Sequence, residues 1–343
     1  MTKLADIAEK LNLDVSVISR ALSQSPENQR RVSQKTRKLI QETAKAMNYV
    51  PDRSAVFFRK KKAPTILCYL PGYTNRLIGD LVVGISEEAF RQKFPVNFFF
   101  GTENDDFNEF CTALKEIKHS GVITYPPQKM SDFMRNELVS YHQNGGHILF
   151  LNALSNGGVR DERFASVPQL EINDEYGGKL VAEYFMELGI KTFFVTDKTR
   201  AYRCRSDGFE ETLSDKGLTS LDFSVEQFLA ARKKHERIGV FATSDEIALN
   251  IMLGLGEYGL HAGQDYFLAG YDDKFYSSRT QPSLTTVHQP TREEGILAVK
   301  KVISMIDGER VGNELLNPWL MIRESTGGKR PDLLNPQQEE ILY

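Results

Sequence analysis

From Thr65 onward, short apolar runs alternate with stretches of helical period. "TILCYL", "VNFFF", "GVITY" and "HILFL" form a first set, with helical patterns near 77–93, 106–118 and 131–144 between them. "KTFFV", "RIGVFA" and "YFLAGY" form a second, with helical patterns near 174–188, 205–216 and 245–258. Alternation of this kind predicts parallel sheets covered by helices on both faces. Two such runs of about 100 residues each imply two similar α/β lobes with a cleft between them. Ligands of open parallel sheets lie beyond the carboxyl ends of the strands.

The first 50 residues follow another rhythm. In "LADIAEKLNLDVSVISRAL" the apolar residues fall at Leu4, Ile7, Ala8 and Leu11, then at Val17, Ile18, Ala21 and Leu22. Each set lines one helix face, and Asn12-Leu13-Asp14 breaks the period between them. A third helix is predicted after Ser33 as N-cap, with Leu39, Ile40, Thr43, Ala44 and Met47 on one side. Asn48 and Pro51 end it. The core expected for this head is Leu4, Ile7, Ala8, Val17, Ile18, Ala21, Ile40 and Met47. A tight helix pair braced by a third helix presents its second helix at a fixed angle, as in DNA-binding helix-turn-helix units. Val15, Ser16 and Arg20 point outward on that helix. An arginine there can bond a guanine edge bidentately, and a valine can touch a thymine methyl.

Charge agrees with that reading. Residues 1–62 hold 14 Lys and Arg against 6 Asp and Glu, a balance of +8, on a chain whose net charge is −3. A basic head on an acidic body is suited to a polyanion. The alternative is a structural helical bundle with a solvated basic face.

The 343 residues are 41% hydrophobic and 26% charged, an ordinary globular composition. No run approaches the roughly 18 apolar residues of a membrane span, and from the polar, periodic start no signal peptide is expected. Three scattered cysteines, Cys68, Cys111 and Cys204, form neither a disulfide framework nor a metal site. The expectations are a cytoplasmic location, no membrane partner and no metal or cofactor. "GLGEYG", residues 254–259, is a literal G-x-G-x-x-G, yet it closes a predicted helix instead of opening one. Helix termination and close packing are the roles expected for its glycines. His235 and His288 have no catalytic spacing with the cysteines, so no enzyme is expected.

The head sequence resembles the DNA-binding unit of the lactose-repressor (LacI/GalR) family. Asp6, Ala8, Ser19, Arg20, Leu22, Val32, Ser33, Thr36, Arg37, Tyr49, Pro51 and Ala55 match the family pattern. Asn12 stands where the family has a turn glycine, and Asp14 where it has a serine cap. The loop after Pro26 is a few residues longer. The resemblance extends over roughly residues 3–327 through "INDEYGGKLVAEYFMELGIK", "RSDGFEETLSDKGL", "FATSDEIAL", "LAGYDD", "PSLTTVHQP" and "PWLMIREST". It implies a helix-turn-helix domain over 1–50, a hinge helix and linker over 51–63, and a two-lobed periplasmic-binding-protein-like core over 64–327. That core binds effector and dimerises, and a C-terminal tail follows over 328–343.

The implied function is a transcriptional regulator, a repressor controlled by a small-molecule effector, bound as a homodimer to a near-palindromic double-stranded DNA operator. The resemblance places Arg53, Ala55 and Phe58 at the DNA, with Phe58 as a minor-groove wedge where the family has leucine. Arg59-Lys60-Lys61-Lys62 reads as a phosphate-contacting tether. The effector-binding residues implied are Arg205, Asp272, Ser244, Asn152, Tyr73 and Arg76. Ser244 and Asn152 replace a common asparagine and aspartate. Arg76-Leu77-Ile78 follows Asn75 where the family usually carries N-P-F-F, so an aromatic platform is missing. A carboxylate with an arginine and amides suits a polyol, which favours a sugar or sugar derivative over a nucleobase. Three alternatives stay open: a solute-binding protein, an enzyme on a doubly wound fold, and a regulator of this kind that has lost its effector response.

Overall fold

The computed structural model describes residues 2–22, 30–47, 49, 65–72, 76–101, 104–117, 119–127, 130–153, 162–197, 199, 202–233 and 237–329. In the head, α1 (Leu4–Leu11), α2 (Val15–Ala21) and α3 (Gln34–Ala46) surround a core of Ile7, Ala8, Ile18, Ala21, Ile40 and Ala44. Leu4, Val17 and Met47 pack at its margin. The turn has the chemistry its sequence announces. Asn12 adopts φ +49° and its N–H reaches the carbonyls of Ala8 and Glu9, a left-handed cap that asparagine tolerates. Asp14 then caps α2 by accepting the Ser16 N–H at 2.7 Å. Ser33 caps α3 in the same way through the Thr36 N–H. Leu39 departs from expectation, for it is 50% exposed. The third helix buries only its Ile40–Ala44 edge, and Leu39 lies about 100° away around the axis.

The body holds two six-stranded sheets. The first contains β1 (Ile66–Pro71), β2 (Val96–Gly101), β3 (Gly121–Thr124), β4 (Ile148–Leu151), β5 (Gln169–Ile172) and β11 (Glu314–Leu316), in the order β11-β5-β4-β3-β1-β2, all parallel. Helices α4 (Arg76–Gln92), α5 (Asn104–Glu116) and α6 (Asp132–Gln143) connect its strands. The second contains β6 (Thr192–Val195), β7 (Ser220–Asp222), β8 (Ile238–Phe241), β9 (Phe267–Tyr271), β10 (Thr285–His288) and β12 (Trp319–Met321), in the order β12-β10-β9-β8-β6-β7. Only β12 runs antiparallel to its neighbour. Its helices are α7 (Asp174–Glu187), α8 (Arg203–Ser214), α9 (Val225–Arg232) and α10 (Asp245–Gly256). The last helix, α11 (Thr291–Ile306), follows β10 of the second sheet but packs on α4 and the first.

The chain therefore changes lobe three times: after β5, after β10 and after β11. Each lobe has apolar clusters on both sheet faces. The central strands β3, β4 and β8 are buried along their whole length because both faces are covered. Strands β5, β7 and β10 to β12, with α9 and α11, lie outside the seven strands and six helices that periodicity marks. Among the described residues no helix is long and apolar enough to cross a membrane.

Candidate functional site

Arg205 leaves the first turn of α8. That helix crosses α7 at close range: a Cβ on Gly178 would strike the Arg205 carbonyl, and one on Gly208 the Glu175 carbonyl. The two glycines hold the guanidinium at the carboxyl ends of β8 and β9. There its Nη1 donates to the Thr243 carbonyl at 2.8 Å and to Asp272 Oδ1 at 3.0 Å. Its Nε lies 3.3 Å from Asp174 Oδ1, and its plane sits 3.9 Å over the Tyr271 ring, within cation–π range. Burial works against the charge of Arg205, but Asp174 and Asp272 overcome it and raise its pKa.

Asp272 follows β9 with φ +107°, a region that L-residues seldom occupy. Its Oδ1 also accepts Gln289 Nε2 at 2.7 Å, and Lys274 Nζ lies 3.9 Å from Oδ2. Burial raises the Asp272 pKa, while Arg205 and Lys274 oppose the rise. Its backbone carbonyl accepts Arg76 Nη2 at 2.8 Å from the opposite lobe, and Asp80 holds the other arm of that guanidinium at 2.6 Å. Two further carboxylates support this floor. Asp245 accepts Lys274 N, Ser277 Oγ and Thr286 Oγ1. Burial, with Asp272 nearby, pushes its pKa up to about 7 against the hydrogen bonds of Ser277 and Thr286. Asp273 takes His288 Nδ1 and Arg323 Nη2 at 2.8 and 2.7 Å. Despite burial, that hydrogen bond and the Arg323 charge hold it below the usual carboxylate range.

The expected site residues are thus treated differently by the fold. Arg205, Asp272 and Arg76 come together. Ser244 is adjacent to Thr243, but its hydroxyl caps α10 by accepting the Ile247 N–H. Asn152 ends β4 of the first lobe with φ +45°. Its Nδ2 donates to Glu294 Oε1 at 2.8 Å and its Oδ1 accepts the Ile172 N–H at 2.9 Å. Tyr73 lies outside the described residues. Asp174, Tyr271, Gln289 and Lys274 belong to the site without having been singled out. Asp174 and Gln289 lie at the lobe crossings, in the quoted segments "INDEYGG" and "PSLTTVHQP".

In the head, Val15, Ser16 and Arg20 are exposed on the side of α2 away from Ile18 and Ala21. Hydrogen bonds from Ser16 lower the pKa of the fully exposed Asp14. Arg53, Ala55, Phe58 and the basic tether lie outside the described residues. Among the described residues no group of three or more His, Cys, Asp or Glu could hold a metal ion. The "GLGEYG" glycines end α10, and Gly259 takes φ +72° after it. Close packing is not their role, for a Cβ on Gly254, Gly256 or Gly259 would meet nothing within 4 Å.

Comparison with known proteins places these features. Residues 182–326 match a family model described as a periplasmic binding protein-like domain. The "Probable HTH-type transcriptional repressor ExuR" of Bacillus subtilis (strain 168) is 23% identical, over 95% of this chain and 98% of that protein. The "HTH-type transcriptional regulator RegA" of Clostridium saccharobutylicum is 24% identical, over 95% and 99%. Among solved structures, the transcriptional regulator CelR in complex with cellobiose is similar with a TM-score of 0.62 at 20% identity, over 95% of this chain and 100% of that one. The lac repressor dimer bound to operator and the anti-inducer ONPF gives 0.61 at 24%, over 95% and 99%. These homologues are transcriptional regulators and not enzymes.

Proposed function

We propose that this chain, a transcriptional regulator of the lactose-repressor (LacI) type, is a repressor whose hold on DNA answers to a small effector in its cleft. It acts in the cytoplasm as a homodimer on a near-palindromic operator, because one small head makes too few contacts to be selective. Residues 1–50 bind DNA, 51–63 form the hinge and linker, 64–327 bind effector and dimerise, and 328–343 form a tail. Val15, Ser16 and Arg20 read base edges, and Arg53, Ala55 and Phe58 enter the minor groove. The effector is a sugar or sugar derivative that meets Arg205, Asp272 and Ser244 of the second lobe and Arg76 and Asn152 of the first, with Tyr73 as a further contact.

The observation that carries the reading is the pairing of two units in one chain. One is a basic helix-turn-helix head with an outward α2. The other is a two-lobed core in which an arginine and an aspartate converge where the strands end. The ligands of CelR and of the lac repressor belong to those proteins and lend this cleft its proposed chemistry. Selection of genomic fragments by the purified chain, followed by footprinting, is expected to return a two-fold symmetric site. A thermal-shift screen of sugars, sugar acids and nucleobases is expected to find a stabilising sugar by mass action. Non-specific retention of all fragments would overturn the regulator reading.

A second reading has its own support. Asp272, Asn152 and Ser244 are all occupied by protein partners, as they would be in a regulator that has lost effector response. Calorimetric titration without heat from any sugar, on a protein that still footprints, would favour it.

A further inference from the structure

Asp272 is used at both of its ends. Its carboxylate gathers Arg205 and Gln289 in the second lobe. Its backbone carbonyl accepts Arg76 Nη2 from the first residue of α4 in the other lobe. The peptide is aimed that way by the unusual φ of +107°, and the Asp272 N–H is pinned to the Val287 carbonyl at 2.9 Å. Side-chain anchoring and backbone aim are therefore one conformation. Arg76 is held for this contact by Asp80, one turn along α4. Its Nε is buried and has no hydrogen-bond partner among the described residues.

We propose that Asp272 and Arg76 form a strap across the cleft, in which the Asp272 carboxylate sets the aim of its own carbonyl and the carbonyl sets the spacing of the lobes through Arg76. This rests on the effector reading of the cleft and adds how occupancy there is passed on. A hydroxyl-bearing group that takes the Asp272 carboxylate from Gln289 or Arg205 relaxes the φ of +107°, turns the carbonyl and releases Arg76. The lobe angle then changes through the Asp272 carbonyl, whatever else the ligand touches in the first lobe. Ligand and strap share one residue, so each alters the free energy of the other.

The test reads lobe spacing in the full chain, with neither ligand nor operator, so its failure leaves the regulator reading untouched. Asp132 and Glu226 are exposed at the starts of α6 and α9, one in each lobe. Spin labels go on Asp132→Cys and Glu226→Cys in a Cys204→Ser background, with Cys68 and Cys111 buried. Labelled protein is mixed sparsely with unlabelled protein, and distances are taken by pulsed dipolar spectroscopy. The parent is expected to give one narrow distribution. Arg76→Ala is expected to broaden it toward longer distances, and Arg76→Lys, which keeps one donor, to restore much of the narrow peak. Asp272→Ala keeps the carbonyl but loses the carboxylate, and is expected to broaden the distribution as Arg76→Ala does. If it does not fold, Asp272→Asn takes its place with the same expectation. An unchanged distribution in Arg76→Ala removes the strap. An unchanged distribution in the Asp272 variant removes the link from carboxylate to carbonyl.

Discussion

Arg205 sits between the buried Asp272 and the partly buried Asp174, so its removal has a consequence separate from any ligand. Arg205→Ala leaves Asp174 and Asp272 facing each other without the cation that reconciles them. Breaking a buried pair from one side costs about 3–5 kcal/mol, and urea denaturation should show a loss of that order. Lysine should recover only part of it, since one ammonium cannot serve Thr243, Asp174 and Asp272 in the geometry of a planar fork. Effector response should be lost in both variants while operator binding remains. A variant that still answers the true effector with unaltered affinity would mean that the ligand lies elsewhere.

Glu294, at the start of α11, is fully buried. Asn152 donates to its Oε1, and Oε2 has no partner among the described residues. Burial, and then the charge of Glu171, raise its pKa well above the usual value, with Asp174 adding to the rise. A carboxyl raised in the fold gives stability that is fully present below its unfolded pKa and is lost as pH rises through the folded value. Glu294→Gln keeps the acceptor for Asn152 and never ionises. Its melting temperature should therefore fall less than the parent's between pH 5 and pH 8. Parallel curves would show that Glu294 does not take up a proton on folding. Asp245, raised to about 7, acts in the same direction in both proteins and leaves the variant a residual slope.

Among the elements, α2 is the one whose surface carries the DNA reading. Arg20→Ala is expected to lower specific operator affinity by about 1–3 kcal/mol and to relax one base position in each half-site. Competition binding against operator variants measures both. Equal loss on all sequences would assign Arg20 to phosphate alone. The turn before α2 allows a second check in the same domain. Asn12→Ala at φ +49° should lower head stability by about 1 kcal/mol, and Asn12→Gly should be close to neutral.

That turn shows why the head was legible. Asn12, Asp14 and Ser33 act through their own side chains or backbone preference, so their identity alone predicts the caps. Apolar strands buried on both faces were legible for a similar reason. "QLEI" of β5 and "TTVH" of β10 were not, because they carry polar residues whose partners come from distant segments. Thr285 and Thr286 are buried by bonds to Ser325, Arg323 and Asp245, which no local pattern reveals. The site was half legible on the same principle. Arg205 and Asp272 stand at positions that the family resemblance marks. The placement of Ser244 as a helix cap, and of Asn152 against Glu294, required the fold.

At the scale of the whole molecule, the first lobe presents an uncovered apolar edge. Val83 and Phe90 lie two turns apart on α4, with Phe90 87% exposed, and Phe98 and Phe100 stack along the edge strand β2. Exposed apolar side chains such as these on a protein proposed as a dimer are suited to a self-complementary contact. Phe90→Asp is expected to shift the chain toward monomer in sedimentation velocity and to weaken operator binding with it. A dimer of unaltered strength would move the interface to another face.

The three lobe crossings also fix an order of birth. Strands β1 to β5 emerge early from the ribosome, but the first lobe cannot close its core until α11 and β11 are made, more than a hundred residues later. The second lobe waits in turn for β12. Only the head, whose described core lies within residues 4–49, can fold while the remainder is still being synthesised. A message cut short after the head but before residue 291 would thus yield a folded head on a body with no finished lobe. Such a product could occupy half-sites but could neither dimerise through a complete core nor sense an effector. The topology ties the proposed ligand control to completion of the polypeptide, and makes this chain a poor donor of independent halves for protein engineering.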